Sequence, residues 1–263
     1  MLPKITLITV CYNAAATLRD TLDSVRAQQY PQLEYLIIDG GSTDGTLQII
    51  QEPQYADLIS HYVSEPDKGI FDAMNKGIKL ATGEIVGCLN ADDYYATPTV
   101  LQEVAMAFLD PTLDACYADL AYVHPTTQTP IRYWHATPFI PGAFARGWAP
   151  PHPTFFVRRR YALANPYDLN FKTAADAEWM MRLLAKNQLK SKAIARLWVH
   201  MRLGGVSNAH WRTIVKQNLL ILKAHQKLGL PIATIPFMMH KFINRVGQYV
   251  KARCLSKGLE KEA

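Results

Sequence analysis

Ile5-Thr6-Leu7-Ile8-Thr9-Val10-Cys11 is a β-branched apolar run that stops on Tyr12-Asn13, and three similar runs follow it. Leu33-Glu34-Tyr35-Leu36-Ile37-Ile38-Asp39 ends at Gly40-Gly41-Ser42, and His61-Tyr62-Val63-Ser64 is shorter. Glu84-Ile85-Val86-Gly87-Cys88-Leu89 stops at Asn90-Ala91-Asp92-Asp93. Short, bounded and nearly continuous in apolar residues, these runs read as strands buried on both faces. Helical stretches separate them. One runs from an Asn13 N-cap to about Gln29 with Leu18, Leu22 and Val25 on one face, one opens at Asp44, and one covers 69–81. A helix over 97–109 and a strand around 115–123 continue the alternation. The pattern predicts an α/β fold with a mostly parallel central sheet flanked by helices. In such sheets ligands bind beyond the carboxyl ends of the strands, where the polar clusters of this chain fall.

Outward from that core the pattern weakens. Prolines crowd residues 124–172 and aromatics are interleaved with them (Tyr133, Trp134, Phe139, Phe144, Trp148, Phe155, Phe156), which predicts an irregular segment lining a cavity. A helix over 174–186, a strand over 193–199, the pair Gly204-Gly205 and a helix over about 208–228 follow. Residues 232–254 read as a basic amphipathic helix, so 209–263 is set apart as a C-terminal helical extension of a 1–208 domain. Within that domain, 1–95 carries the first cluster of motifs and 96–208 the second.

The 263 residues are 49% hydrophobic and 19% charged, enough to bury a sizeable core. Charge is divided unevenly. Residues 1–185 hold 13 Lys/Arg against 20 Asp/Glu, a balance of −7, whereas 186–263 hold 15 against 2, a balance of +13, together the chain's +6. That terminal third suits an anionic membrane surface, nucleic acid or a phosphate-bearing substrate. The four cysteines (Cys11, Cys88, Cys116, Cys254) form no CxxC pair, which excludes a zinc ribbon or a thioredoxin-type centre. With no apolar span of bilayer length and no leader-like start, the reading is a cytoplasmic protein.

Asp92-Asp93 is the sharpest chemical feature. Adjacent carboxylates at a buried strand end repel one another unless a cation or hydrogen-bond donors compensate. Oxygen ligands without a Cys/His set favour Mg²⁺ or Mn²⁺, ions that bind through one or two carboxylates and a substrate's phosphates. The bland alternative is an Asx turn opening a helix. No GxxxxGK[ST], no GxGxxG after the first strand and no GxSxG occurs, so kinase, nicotinamide and hydrolase chemistries lose ground.

Thr9-Val10-Cys11-Tyr12-Asn13, Ile38-Asp39-Gly40-Gly41-Ser42-Thr43-Asp44-Gly45-Thr46, Ser64-Glu65-Pro66-Asp67-Lys68-Gly69-Ile70-Phe71-Asp72-Ala73-Met74-Asn75-Lys76-Gly77 and Leu89-Asn90-Ala91-Asp92-Asp93 together resemble family 2 glycosyltransferases, in the bacterial polysaccharide-assembly branch. The resemblance is dense over 4–95, thinner over 150–208 and absent beyond 210. It implies a nucleotide-diphospho-sugar transferase fold of the GT-A type (Rossmann-like), a UDP-sugar or similar donor, and inversion at the anomeric carbon. It also implies that Thr9, Tyr12, Asn13 and Ser42 border the nucleotide and that Asp39 binds base or ribose. Asp67 and Lys68 would close over uracil and phosphate, Asp92 would hold the metal, and Asp93 would assist with metal or sugar. Asn90 stands where the family's DxD has its first acid, and an amide accepts or donates there without adding charge. The segment Ala175-Asp176-Ala177-Glu178-Trp179-Met180-Met181-Arg182 matches the family's acid six residues ahead of an arginine, which makes Asp176 the catalytic base; a helix-start Asp serving the macrodipole is the alternative.

Weaker expectations complete the list. His152, in Pro151-His152-Pro153-Thr154, either touches acceptor or diphosphate or is a turn histidine satisfied by backbone. Gly204, Gly205 and Ser207 resemble a loop that closes after donor binding. His200 is either a third ligand or a strand-edge histidine, and Arg158-Arg159-Arg160 reads as a solvated face, with contact to a phosphate as the alternative. The processive QxxRW signature is absent, implying single additions. The last basic helix packs as core, lies on the inner face of the cell membrane beside lipid-linked acceptors, or mediates a homodimer. Two other functions compete with this reading. A nucleotidyltransferase making NDP-sugars needs a Gly-rich basic loop where this chain has Tyr12-Asn13-Ala14-Ala15-Ala16, and a nucleic-acid-binding protein leaves the acidic strand ends unexplained.

Overall fold

In the computed structural model, which describes residues 2–203 and 211–239, the first four apolar runs form β1 (Ile5–Cys11), β2 (Leu33–Asp39), β3 (His61–Ser64) and β4 (Ile85–Cys88). They pair in parallel in the order β3-β2-β1-β4, so the chain reverses direction of travel across the sheet between β1 and β4. Every residue of β1 is buried, which explains why its sequence does not alternate. The period of two instead sorts its side chains between two cores. Ile5 and Leu7 join Leu18, Leu22 and Val25 of α1 (Leu18–Arg26), while Ile8 and Val10 meet Ala73, Met74 and Ile78 of α3 (Ile70–Leu80). Each such aliphatic side chain contributes roughly 1.5–3 kcal/mol on burial. α3 lies close because Gly77 faces Ile8, where a Cβ would come within 2.6 Å of Ile8 Cγ2.

The second half of the sheet is mixed. β8 (Phe156–Arg158) joins β4 antiparallel and then β6 (Ala115–Val123), which pairs in parallel with β9 (Ser191–Arg202). β5 (Asp93–Tyr95) closes that edge antiparallel to β9, and β7 (Pro130–Trp134) pairs with β6. Parallel ladders still carry most of the sheet. Helices α2 (Thr46–Ile50), α4 (Val100–Ala107), α5 (Arg159–Ala164) and α6 (Ala175–Met181) cover it, α6 running into a π turn over Arg182–Lys186. α7 (Trp211–Leu228) buries Ile221, Ala224 and Leu228 in the same core as Trp179 and Leu184, and Phe237 joins them from the helical residues 234–239. No helix among the described residues is long and apolar enough to cross a membrane.

Several expectations are corrected. The first helix begins at Leu18, not Asn13, whose φ of 50° and loop contacts take it out of the helix. The irregular segment 124–172 contains β7, β8 and α5, and β7 tolerates Pro130 because it pairs only with β6. The strand over 193–199 extends to Ser191–Arg202, bent by irregular register against β6. The 232–254 helix is described only to residue 239.

Candidate active site

The carboxyl ends of three parallel strands lie level with one another: Cys11 pairs with Asp39, and Asp39 with Ser64. Register therefore brings a thiol and a hydroxyl from neighbouring strands onto one carboxylate. Asp39 Oδ2 accepts from Ser64 Oγ at 2.6 Å, from the Ser42 amide at 3.0 Å and from the Gly41 amide at 3.2 Å. Its Oδ1 accepts from Ser42 Oγ and, at 3.6 Å, from Cys11 Sγ. Burial pushes this carboxyl up, but the hydrogen bonds from Ser42 and Ser64 outweigh it and hold it below the usual range. Ser42 Oγ in turn accepts from the Asn13 amide at 2.8 Å, and Asn13 Oδ1 accepts from the Thr43 amide at 2.9 Å. The loops after β1 and β2 are thus latched together.

Beside this latch Gly40 permits a close approach. A Cβ there would sit 2.7 Å from Asp67 Oδ2 and 3.3 Å from the Tyr12 ring. Tyr12, 67% exposed, stands with its ring free toward solvent. Asp67 Oδ1 accepts from the Gly69 amide at 2.7 Å, and the Lys68 amide donates to Asp72 Oδ2 at 3.0 Å, which leaves the exposed Lys68 side chain beside the same opening. The structure thus brings Tyr12, Asn13, Asp39, Ser42, Asp67 and Lys68 together at one opening. Thr9 is the exception: it is fully buried, its hydroxyl 2.9 Å from Tyr35 Oη, and it presents nothing to the crevice.

Beyond β4 the chain keeps following β1, the Leu89 and Ala91 amides donating to Ile8 and Val10 carbonyls, so the Asn90–Asp93 turn arrives next to the latch. Here satisfaction fails. Asn90 Nδ2 donates to Asp93 Oδ2 at 3.2 Å, but Asn90 Oδ1 and Asp93 Oδ1 are buried with no partner. Burial, and next the Asp92 charge, push the Asp93 carboxyl well above its ordinary value, and burial raises Asp92. Two orphaned hard oxygens, one amide and one carboxylate, beside the Asp92 carboxylate suit a divalent cation such as Mg²⁺ or Mn²⁺. Among the described residues no three His, Cys, Asp or Glu side chains converge, so phosphate oxygens would complete the shell. His200 is not part of that set; it pairs across from Tyr94 and stacks on its ring, centroids 5.1 Å apart.

Arg202 was not anticipated. It is 7% exposed, donates from Nη1 to the Asp92 carbonyl at 2.9 Å, ion-pairs with Asp20 and lies 4.9 Å from the Tyr94 ring centre. No local signal could reveal it, since its partners lie in α1 and in the turn. Gly204, Gly205 and Ser207, which follow it, lie outside the described residues.

Antiparallel pairing of Gly87 with Phe156 sets the residues before β8 beyond the carboxyl end of β4. His152 is there, its Nε2 2.7 Å from Tyr167 Oη, and Tyr167 stacks on Trp179 at 4.5 Å. Phe71 closes the wall, 5.3 Å from Tyr167. Burial lowers the His152 pKa while the Asp176 charge opposes it, which places Asp176 at this wall. Asp176 opens α6, partly exposed, with Oδ1 accepting its neighbour's Ala177 amide at 2.8 Å. Glu178 points away as the helix requires, fully buried and 3.1 Å from Arg182. Asn75 joins the two regions: its amide donates to the Tyr167 carbonyl at 3.0 Å and accepts from the Tyr167 amide at 2.8 Å.

Comparisons with known proteins agree with this geometry. The model of the family described as Glycosyl transferase family 2 matches residues 6–167. A PGL/p-HBAD biosynthesis glycosyltransferase of Mycobacterium tuberculosis is 31% identical over 245 residues, 89% of each chain. A poly-beta-1,6-N-acetyl-D-glucosamine synthase of Staphylococcus epidermidis is 41% identical over 88 residues, 34% of this chain and 21% of that one. The solved structure of S. aureus TarS 1-349 in complex with UDP-GlcNAc superposes with a TM-score of 0.64 at 19% identity, covering 92% of this chain and 72% of that chain. Mannosyltransferase PcManGT from Pyrobaculum calidifontis, in complex with GDP-Man and Mn²⁺, gives 0.64 at 17% identity, covering 98% and 76%. At such identities the two structures show a shared fold.

Proposed function

The chain belongs to glycosyl transferase family 2 and is a glycosyltransferase of the GT-A fold, and from that premise we propose that it moves one sugar, with inversion, from a UDP-sugar to an acceptor hydroxyl. The observation that carries this reading is the pair of orphaned acceptors at Asn90 and Asp93, set beside a finished hydrogen-bond latch at the next strand ends. A nucleoside diphosphate lying across the two meets the Tyr12 ring, the Asp67–Lys68 segment and the Ser42 loop at one end. Asp39 sits beneath that end and fixes the backbone it rests on. Asp92, with Asp93 and Asn90 behind it, would hold a divalent cation, which when bound neutralises charge on the leaving diphosphate.

The reaction itself is a single displacement. Asp176 takes the acceptor hydroxyl's proton as its oxygen bonds to the anomeric carbon, the bond from that carbon to the diphosphate breaks on the opposite face, and the electron pair leaves with the nucleotide. His152 and Phe71, both partly exposed, supply the surface on which a sugar ring packs, with Tyr167 and Trp179 buried behind them. Residues 1–95 form the donor half and 96–208 the acceptor half; within 209–263, α7 and Phe237 pack on the core, and the basic residues that follow would hold the enzyme near anionic lipid. The names of the mycobacterial and staphylococcal relatives support an acceptor in polysaccharide or lipid-linked saccharide assembly.

The test is calorimetry with UDP-, GDP- and CMP-sugars, with and without Mn²⁺, followed by NMR of the product. Saturable binding of a UDP-sugar, strengthened by the ion, and a product of inverted anomeric configuration are expected. A product that keeps the donor's configuration, or failure of every nucleotide sugar to bind, rejects the proposal.

A further inference from the structure

At the other end of the sheet lies a feature that the transferase reading does not use. Ile85, the first residue of β4, pairs with Arg158, so Arg158-Arg159-Arg160 sit at the amino end of β4, remote from Asn90–Asp93. The three arginines line an open cavity of about 280 Å³ together with Thr82, Gly83 and Glu84. They are not equivalent. Arg158 is fixed by the Leu113 and Asp110 carbonyls at 2.7 and 3.1 Å and lies over the Phe108 ring, so it is held in place without meeting a carboxylate. Arg160 is exposed, its guanidinium 3.3 Å from Tyr161 Oη, 3.4 Å from Asp114 and over the Tyr161 ring. Arg159 is partly buried, and its Nε is sealed from water with no acceptor at all.

A guanidinium N–H buried without an acceptor is unusual, because its fork of donors matches the paired oxygens of carboxylate or phosphate. Glu84 is the cavity's own carboxylate, yet its contact with Arg159 is through backbone: the Arg159 amide donates to the Glu84 carbonyl at 2.8 Å. Three guanidinium charges face one carboxylate in the lining, so the cavity is electropositive. We propose that this cavity binds a phosphate group through Arg159 and Arg160, at a site separate from the nucleotide-sugar crevice. That phosphate belongs either to a lipid headgroup or to a soluble phosphate ester. The first source is favoured by exposed leucines at the rim, Leu80 just before Thr82 and Leu163 one turn beyond Arg159.

The experiment uses the full chain, Arg159→Gln/Arg160→Gln and, separately, Glu84→Gln. Inorganic phosphate is titrated calorimetrically at low salt, and flotation is measured with phosphatidylcholine vesicles with and without about one-third phosphatidylglycerol. Wild type is expected to bind phosphate saturably. The double arginine variant should weaken that binding on the order of tenfold or more. Glu84→Gln should tighten it several-fold, a gain that a misfolded variant cannot give. Flotation that depends on phosphatidylglycerol and falls in the double variant assigns the phosphate to lipid, whereas unchanged flotation with lost phosphate binding assigns it to a soluble ester. The basic C-terminal residues are present in every variant, so retention they supply is common to all. Absence of phosphate binding in wild type, or equal binding by all three proteins, overturns the proposal.

Discussion

The ends of β2 and β4 carry two buried carboxylates in opposite states. Asp39 is completed by the protein: amides, hydroxyls and a thiol from three segments converge on it and its pKa is depressed. Asp93 is left incomplete, with one oxygen orphaned, a charged neighbour in Asp92 and a pKa pushed well up. Burial is total in both cases, so burial alone does not decide the outcome. What differs is the supply of donors. The β2 end is held by its own hydrogen bonds, whereas at the β4 end, even with Arg202 close by, one carboxylate oxygen is left unpaired.

Asp92→Ala attacks the contrast most directly. Turnover should fall on the order of 10³-fold, and the response of donor binding to Mn²⁺ should vanish. An Asp92→Ala enzyme that works normally would mean the two ends are functionally alike. Asp176→Asn tests whether chemistry and donor binding are separate, with turnover down about 10²–10³-fold and donor affinity held within about a factor of two. Asp39→Asn replaces an acceptor with an amide whose own donors face N–H and O–H groups. Urea unfolding should register a loss of about 1–3 kcal/mol, against roughly 1 kcal/mol or less for Asp93→Asn, which can keep the oxygen that accepts from Asn90 and replace only the unpaired one. Equal losses would erase the distinction between a finished and an unfinished end.

The smallest effect belongs to the opposite end of β2. Burial pushes the Glu34 carboxyl up, but bonds from Thr6, Thr82 and Lys4 prevail and hold it at about 2, against an ordinary 4.5. The folded state thus binds this proton more weakly than the unfolded one, so the stabilisation is complete above about pH 4.5 and is lost as pH falls toward 2. Urea midpoints at about pH 5 and about pH 3 should differ less in Glu34→Gln than in wild type, with donor binding unaltered at neutral pH. A change in donor binding would show that this distant carboxylate communicates with the crevice.

Legibility followed the same division. Runs such as Leu33–Asp39, His61–Ser64 and Ala115–Val123 coincide with their strands because continuous apolar sequence and a polar stop are local signals. β5 and β8 escaped because three residues cannot show a period, and both exist only through antiparallel partners far along the chain. Asn13 reads as a helix cap because its side-chain oxygen can accept from backbone amides, but that oxygen accepts from the Thr43 amide in a loop, where asparagine tolerates the positive φ. Arg202 had no signal, since only register across β9 brings it to Asp92. Nor does a sequence reveal which buried oxygens remain unpaired.

The reciprocal bonds between Asn75 and the Tyr167 peptide group carry a consequence for divergence. That exchange is read by backbone, so Tyr167's neighbours are free to vary while the amide must stay. Side chains packed around Tyr167 should then tolerate exchange better than Asn75 itself, the pin that fastens α3 to the chain beyond β8.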